Sequence, residues 1–174
     1  MGTLKNVFAF FCLGSVLYIF ISLVSYSSLD PSLSSVSSLS GDIENLGGPF
    51  GAYLSDALYS VIGIGAYLFL IIISFAAVKT LFFYQQTDSL HKAIQITSAI
   101  FLISSFSTLC EFYYSGDYFP QSSSGGLVGN LLFTNLSNIF GVVGSLIFIV
   151  IFFLASVSLT FSFSWLSVID ALGK

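Results

Sequence analysis

Few residues in this sequence have the type and spacing that catalytic or ligand-binding chemistry requires. A phosphate-binding loop needs the pattern Gly-x-x-x-x-Gly-Lys-Ser/Thr, and Gly173 with Lys174, the nearest match, lacks the upstream glycine. The single histidine, His91, has no histidine or cysteine at the spacing of metal ligands. We therefore expect no enzyme active site, no cofactor and no metal in this chain.

The cationic residues and the cysteines are equally uninformative as reactive groups. The sequence has no Arg, and its four Lys residues are not clustered. It therefore offers no basic patch for phosphates, and we expect no direct contact with nucleic acid. Cys12 and Cys110 lie in or beside apolar runs. We interpret them as small buried hydrophobic residues rather than as a disulfide.

The composition indicates a membrane protein. Hydrophobic residues make up 56% of the 174 residues and charged residues only 7%, whereas soluble domains average about 25% charged residues. The mean hydropathy is +0.99. A helix needs about 20 mostly apolar residues to cross a bilayer. Windows of this kind lie at residues 7–24, 59–78, 93–112 and 141–163. We predict one integral membrane domain, residues 1–174, with four spans numbered in chain order.

The first window could also be a signal peptide, since Lys5 precedes it. Its apolar stretch is longer than the hydrophobic region of a typical signal peptide, and no Ala-x-Ala cleavage site follows. We therefore interpret it as an uncleaved membrane anchor.

The charges predict how the spans are oriented. With four crossings, all basic residues fall on one side: Lys5, Lys79, His91, Lys92 and Lys174. The other side receives acidic residues and no lysine: Asp30, Asp42, Glu44, Asp56, Glu111 and Asp117. Because lysine collects on the cytoplasmic side, both termini are predicted to be cytoplasmic, with two loops outside. This arrangement also places His91 on the opposite side of the membrane from the serines of the outer loops. His91 therefore cannot act as the base that a serine nucleophile needs.

One sequence pattern occurs twice, ahead of spans two and four. The pattern Gly-Gly-x-x-Gly-x-x-Leu-x-x-x-Leu begins at Gly47 and again at Gly125, and a further glycine follows at Gly63 and Gly141. We call each copy a helix-start motif; its glycines are Gly47, Gly48 and Gly51 in copy one and Gly125, Gly126 and Gly129 in copy two. Both motifs are predicted to lie outside. The sequence therefore predicts an all-α membrane protein built from two tandem hairpins in the same orientation, a parallel rather than an inverted repeat.

The glycines of the motif are interpreted as a turn and a helix cap. Gly48 suits the N-cap position and Pro49 the first helical position. Gly47 and Gly51 also have the G-x-x-x-G spacing that promotes close helix packing in membranes, as do their counterparts in copy two. Because the motif stands outside the apolar run, we favour the turn and cap over a dimer face.

The residues after the glycines predict a short helix at the membrane interface before spans two and four. Phe50, Leu54 and Leu58 are four residues apart and share one face, and copy two has leucines at two of these positions. We expect this face to meet the membrane, while Asp56 stays in water on the opposite face.

The second outer loop is rich in aromatic residues, and span three is rich in hydroxyl residues. The aromatic residues are interpreted as an interfacial belt, or alternatively as a partner-binding patch: Phe112, Tyr113, Tyr114, Tyr118 and Phe119. The hydroxyl residues are expected to form interhelical hydrogen bonds: Thr97, Ser98, Ser104, Ser105, Ser107 and Thr108. The first outer loop is rich in serine, and Asp30 followed by Pro31 favours a turn.

Two stretches of the sequence resemble a known family. They read "SYSSLDPS", at residues 25–32, and "NLGGPFGAYLSDALYSVIGIGAYL", at residues 45–68. Together with "GGLVGNLL" in copy two and Trp165, they are similar to the N-terminal membrane domain of the FtsK/SpoIIIE-type DNA translocases. The resemblance covers essentially the whole chain.

The resemblance implies a role in cell division. It suggests a membrane anchor and assembly domain that is targeted to the division septum of the inner membrane, where it contacts divisome membrane proteins and serves chromosome segregation. It also implies a homo-oligomer, because the motor of the family looks like a hexamer. We expect lateral association through Gly141, Gly144 and Ser145. The sequence stops where the linker to the cytoplasmic motor would begin, so ATPase and DNA-binding activities are not carried over.

A transporter or channel subunit and a membrane-embedded enzyme are the two alternative functions. A small four-span transporter or channel subunit fits the size, but transport pathways for ions and protons usually need ionisable residues within the spans. Here the spans hold only uncharged polar residues, apart from Glu111 at the outer end of span three. A membrane-embedded enzyme lacks a catalytic constellation.

Overall fold

The computed structural model describes residues 2–33, 43–82, 88–114 and 123–162, together with the single positions 164, 170 and 173. Some residues used in the predictions lie outside the described residues: Asp42, Asp117, Tyr118, Phe119, Trp165 and Lys174.

The described ranges contain five helices and no strand. The helices are α1 (Gly2–Val24), α2 (Gly48–Ile62), α3 (Gly65–Phe82), α4 (Ser89–Tyr113) and α5 (Gly126–Phe161). Four of them are long and apolar enough to cross a membrane: α1 over Asn6–Val24, α3, α4 and α5. The prediction of an all-α, four-span membrane protein in two tandem hairpins, each with a short helix before its second span, is confirmed.

The spanning helices are apolar on nearly all sides because lipid surrounds them. On α1, for example, Phe8, Phe10 and Phe11 are all exposed on the protein surface. A helix that is hydrophobic all round must be covered by protein or by a bilayer. The small and polar side chains instead face neighbouring helices, as Ser22 and Ala66 do. In these helices, many large apolar side chains therefore face outward and many small or polar ones face inward, the reverse of the arrangement in soluble proteins.

The second span begins later than the window at 59–78, because the chain breaks at Gly63. There α2 ends with φ 56° and ψ −134°, a conformation that favours glycine. The chain resumes as α3 at Gly65, so Tyr59 belongs to the short helix α2. A corresponding break lies inside α5 at Gly141, with φ 70° and ψ 169°. It divides α5 into a short helix at 126–140 and a spanning part from residue 142.

The two hairpins pack side by side. In hairpin one, α1 packs against α2 and α3; in hairpin two, α4 lies along α5; and α2 and α3 contact α5 and α4 where the hairpins meet. The buried cluster of hairpin one contains Leu23, Tyr59, Ala66 and Leu70. In hairpin two, Phe106 of α4 meets Phe153 of α5. We call the end of the bundle where α1 and α4 end, and where α2 and α5 begin, the distal end.

The hydroxyl residues of α4 bond mostly within their own helix, which corrects the prediction of interhelical hydrogen bonds. Ser104, Ser105 and Thr108 each donate to the carbonyl one turn earlier, at 2.7–2.9 Å. This bonding satisfies a hydroxyl locally when a neighbouring helix offers no acceptor. Two others do reach a neighbouring element. Ser107 Oγ donates to the Ile62 carbonyl (2.8 Å), and Ser98 Oγ accepts from Thr160 Oγ1 (3.2 Å).

Both cysteines are free thiols. Cys110 is buried at the distal end of α4, as expected of a small hydrophobic residue. Cys12 is only half-buried on α1. The expectation of burial therefore holds fully for Cys110 alone, because α1 turns much of its surface away from the other helices.

Candidate functional site

The two helix-start motifs have the same backbone conformation. Gly48 has φ 67° and Gly126 has φ 64°, values that side-chain-bearing residues rarely adopt. In copy one, the Gly48 N–H donates to the Asn45 carbonyl at 2.8 Å, which closes the turn ahead of α2. The N-cap is Gly47, one residue before the predicted Gly48, because the positive φ of Gly48 places the turn there. Pro49 is therefore the second residue of α2 rather than the predicted first, and it still lies in the first turn.

The G-x-x-x-G pairs press each short helix against the spanning helix that precedes it. In copy one, a Cβ on Gly51 would lie 2.7 Å from Ser22 Oγ of α1, and a Cβ on Gly47 would also collide with that atom. In copy two, a Cβ on Gly129 would lie 2.6 Å from the Ser107 carbonyl oxygen of α4. Only glycine allows these approaches.

These packing contacts distinguish the two interpretations of the motif, a turn with a helix cap and a dimer face. Gly125 also faces the Ser107 carbonyl, so the G-x-x-x-G surface of each motif is occupied inside its own hairpin. The surface is therefore not available as a dimer face. The motif serves as a turn, as the sequence suggested, and in addition as an internal helix-packing surface.

Asn45 connects α1 to the first motif. This side chain is buried, with 4% of its surface exposed. Its Nδ2 donates to the Ser22 carbonyl at 2.9 Å, and its Oδ1 accepts from the Gly47 N–H at 2.8 Å. Ser55 Oγ lies 3.4 Å from the same Nδ2. In the sequence, Asn45 stands out only as part of the family-like stretch, with no predicted contact.

Asp30 fixes the end of the first outer loop. Its carboxylate is almost fully buried. Oδ1 accepts from the Glu44 N–H at 2.8 Å, and Oδ2 accepts from the Asn45 N–H at 2.9 Å. The sequence indicated only a turn at this residue. A buried carboxylate requires such donors, so Asp30 ties the start of the loop to the residues just before the first motif.

Asp56 lies in the protein interior and not in water, which corrects the prediction. Its exposed fraction is 0%, and Tyr26 Oη donates to Oδ1 at 3.0 Å. The buried face of α2 runs through the small and polar residues Gly51, Ala52, Ser55, Asp56 and Tyr59. Phe50 is instead largely exposed and stacks on the ring of Tyr18. Leu58, on the same predicted face, is partly buried against the cluster of hairpin one. The face is therefore exposed at Phe50, where lipid can cover it, whereas the Asp56 carboxylate needs a polar partner.

Tyrosine hydroxyls bridge the break in hairpin one. Tyr59 Oη donates to the Leu23 carbonyl at 3.2 Å and lies 2.7 Å from Tyr67 Oη across the break at Gly63. Burial raises the pKa of the Tyr59 phenol, and its hydrogen bond with Tyr67 raises it further. The phenol therefore keeps its proton and remains a donor.

The corresponding positions of copy two form a similar bridge. Counted from Gly125 as Tyr59 and Tyr67 are from Gly47, they are Ser137 and Ser145, whose Oγ atoms lie 3.3 Å apart across Gly141.

Glu111 organises the second motif in the way that Asp30 and Asn45 organise the first. Its Oε2 accepts from Ser123 Oγ at 2.6 Å and from the Gly125 N–H at 2.9 Å. Its Oε1 accepts from Asn130 Nδ2 at 3.1 Å. A carboxylate at a helix N-terminus is stabilised by the free N–H groups and the helix dipole. In the sequence, Glu111 is notable only as an ionisable residue at the end of a span, and its contact with the second motif was not predicted.

The hairpins join through direct contact of two glycines. A Cβ on Gly63 would lie 2.6 Å from the Gly126 nitrogen, and a Cβ on Gly126 would lie 2.6 Å from the Gly63 nitrogen. Next to this contact, the Ile64 N–H donates to the Ser124 carbonyl at 2.9 Å. We call this contact the hairpin junction. Gly126 thus contributes to the junction as well as to the start of α5, a role that the repeat alone did not reveal.

The surface proposed for lateral association is not continuous. Ser145 is fully buried and donates to the Val142 carbonyl at 2.8 Å. A Cβ on Gly144 would sit 3.1 Å from the Cβ of Phe140, within α5 itself. Gly141 is exposed. The expectation of a three-residue face at Gly141, Gly144 and Ser145 is therefore wrong for Ser145, because the helix break turns that side chain inward.

These arrangements hold helices and loops together. Within the described ranges, no group of three or more His, Cys, Asp or Glu side chains could hold a metal ion. The seven residues selected from the sequence lie in two places at the distal end. At the start of α2, Gly47, Gly51 and Asp56 face α1 or the loop that follows it, while Gly48 forms the turn. At the start of α5, Gly125 and Gly129 lie against α4, and Gly126 lies against Gly63.

Comparison with known proteins gives a consistent family match. A family model described as the 4TM region of DNA translocase FtsK/SpoIIIE matches residues 2–173. The chain is 30% identical over 167 residues to DNA translocase FtsK 1 of Neisseria meningitidis serogroup A, with 93% of this chain and 21% of that protein aligned.

Other curated relatives give the same picture. The chain is 30% identical over 161 residues to DNA translocase FtsK of Shewanella oneidensis, with 90% of this chain and 17% of that protein aligned. It is 27% identical over 167 residues to DNA translocase FtsK of Pseudomonas syringae pv. tomato, with 91% and 20% aligned. The chain thus spans about a fifth of the length of these relatives. No solved structure matches it significantly.

Proposed function

The chain belongs to the family of the four-span membrane regions of FtsK/SpoIIIE DNA translocases, and from this membership we propose that it anchors and assembles such a translocase at the division septum for chromosome segregation. The observation that carries the proposal is the family match over residues 2–173, joined to four helices able to cross a membrane. Anchoring requires spans and exposed surface, and the chain has both.

The proposed orientation puts the distal end outside the inner membrane and both termini in the cytoplasm. Lys79 lies in the last turn of α3, and Lys92 lies near the start of α4, at the opposite end of the bundle from Asp30 and Glu111. Lysine at the cytoplasmic end follows the usual charge bias of membrane proteins. The carboxylates at the distal end then lie on the periplasmic side of the bundle, where they hold the outer loops.

The proposed binding surface for divisome membrane proteins is the distal end together with the lipid-facing helix surfaces. Asp30, Asn45 and Glu111 fix the residues around both helix starts. A surface held in one conformation loses less entropy when a partner binds. Tyr113 and Tyr114 are both exposed at this end, where they suit either an aromatic belt or contact with a partner.

In this proposal the domain carries no catalytic step itself. The relatives are named as DNA translocases, and the aligned part is about a fifth of each. ATP hydrolysis and DNA contact are assigned to a cytoplasmic motor of the family, and the membrane domains associate as the motor subunits do, as a homo-oligomer and by resemblance a hexamer.

Affinity capture from the native membrane tests the proposed partners. The chain is tagged, cross-linked in dividing cells and isolated, and co-isolated proteins are quantified against an unrelated four-span protein with the same tag and abundance. We expect membrane proteins of the division apparatus to be enriched over that control. Enrichment of solute-transport components, with division proteins at control level, would instead favour the transporter or channel alternative.

A further inference from the structure

The hairpin junction combines a helix break from one copy with a helix start from the other. Gly63 supplies the break and Gly126 the start, both with positive φ. Their backbones are so close that neither position has room for a Cβ. The hydrogen bond from the Ile64 N–H to the Ser124 carbonyl lies beside them. Each copy of the repeat therefore contributes a different half to this contact.

No described residue of the chain occupies the two remaining halves. Gly48 is the start of copy one and Gly141 is the break of copy two, and they have φ values of 67° and 70°. Within the described ranges, a Cβ on either glycine would meet no atom within 4 Å. The counterparts of Ser124 and Ile64 are Leu46 and Val142, which are 79% and 50% exposed.

We propose that Gly141 of one chain docks on Gly48 of a second copy and so repeats between chains the hairpin junction that Gly63 and Gly126 form within each chain. In this contact the Val142 N–H donates to the Leu46 carbonyl of the neighbouring copy, as the Ile64 N–H donates to the Ser124 carbonyl. The occupant is a second copy because the complementary half of each open surface is on the same chain.

The contact is head-to-tail, because the break and the start are different surfaces. Each chain offers its start to one neighbour and its break to another. Contacts of this kind either close into a ring or continue as an open array. In a closed ring every half-junction is filled, and the intrachain and interchain junctions alternate around the ring. Large exposed side chains beside the open halves, such as Phe50, Ile139 and Val143, also gain cover.

Disulfide cross-linking of full-length chains in membranes tests the docking. Cys12 and Cys110 are replaced by alanine, and two differently tagged chains are produced together, one with Leu46→Cys and the other with Val142→Cys. Residues joined by a main-chain hydrogen bond are close enough for a disulfide. After mild oxidation we expect a mixed dimer several-fold more abundant than with the pair Leu4→Cys and Val142→Cys, since Leu4 lies at the far end of α1.

A variant of the docking glycine separates contact from chance collision. Gly48→Ala adds a methyl group that meets no described atom of its own chain, although the φ of 67° puts some strain on the turn, and it should reduce the mixed dimer several-fold. Gly14→Ala, which also adds a methyl group in open space, should not reduce it. The intrachain pair Ile64→Cys and Ser124→Cys, made in the Gly48→Ala chain, reports that the hairpin junction is still formed.

The outcomes are distinguishable from failure of the proposed septal function, because cross-links form wherever in the membrane the chains meet. A mixed dimer at the level of the Leu4 control, with the intrachain link intact, would overturn the inference. So would a mixed dimer that Gly48→Ala leaves unchanged.

Discussion

Buried polar side chains at the distal end each form hydrogen bonds with main-chain groups of a neighbouring segment. Asn45 serves the Ser22 carbonyl and the Gly47 N–H, and Asp30 serves two N–H groups at the end of the outer loop. An unsatisfied polar group is expensive in an apolar environment. These residues therefore determine where the loops attach, although none of them belongs to an apolar span.

Asn45→Ala should destabilise the protein by about 1–3 kcal/mol, because it leaves a carbonyl of α1 and an N–H of the motif without a buried partner. The matched control is Asn135→Ala, since Asn135 is exposed and donates only within its own helix to the Leu131 carbonyl. Thermal unfolding in a mild detergent measures both. Equal midpoints for the two variants would contradict the role assigned to Asn45.

At the scale of helices, glycines define where α2 ends, where α5 breaks, and how closely the short helices approach their neighbours. Gly63 ends α2 and contacts the start of α5, and Gly129 brings α5 onto α4. The positions of the spans were predictable because hydropathy depends on composition. The breaks were harder to locate. The window at 59–78 continued through Gly63 because its flanking residues are apolar. The Ser124 carbonyl, which accepts from the Ile64 N–H at this break, is far away in sequence.

The buried face of α2 was not predictable from hydrophobic spacing. In water the face of Phe50, Leu54 and Leu58 would turn inward, but lipid is as good a solvent for it as the protein interior. Which face is buried then depends on fit and on polar partners. Two glycines of the motif pack closely against Ser22 of α1, and the Tyr26 hydroxyl donates to the Asp56 carboxylate. Both partners are far away in sequence, so spacing within α2 holds no signal for them.

Gly63→Ala should lower the free energy of unfolding strongly, for two reasons. A residue with a side chain at positive φ costs about 1–2 kcal/mol. In addition, its Cβ would strike the backbone at residues 124–126. The control is Gly14→Ala, which should be neutral or slightly stabilising, since Gly14 lies inside α1 and a Cβ there meets nothing within 4 Å. Unfolding midpoints in detergent compare the two. A Gly63→Ala midpoint equal to that of the Gly14 variant would rule out the hairpin junction.

At the scale of the whole molecule, the two hairpins form one four-span unit whose distal end carries the outer loops and both helix starts. The repeat in the sequence predicted this parallel arrangement, because each copy precedes a span of the same direction. It could not predict that the copies contact each other through different halves, Gly63 of one and Gly126 of the other. Such a contact depends on how the hairpins are placed, and no local pattern records it.

The proposed orientation predicts which ends of the bundle a membrane-impermeant thiol reagent reaches. In a chain without Cys12 and Cys110, single cysteines replace Glu44, Tyr114 or Ser89, all of which are exposed. The cysteines at positions 44 and 114 should react in intact cells from the outside. The cysteine at position 89 should react only after the membrane is opened. Labelling at position 89 in intact cells would contradict cytoplasmic termini.

The distribution of a fluorescent fusion of residues 1–174 in dividing cells tests the proposed function most directly. The quantity is the ratio of septal to side-wall fluorescence, compared with that of an unrelated four-span protein, which corrects for the two apposed membranes at a septum. We expect a clearly higher ratio for this chain, with no ATP-hydrolysing domain attached. A ratio equal to that of the control, from an intact and correctly inserted fusion, would contradict septal targeting by the membrane domain.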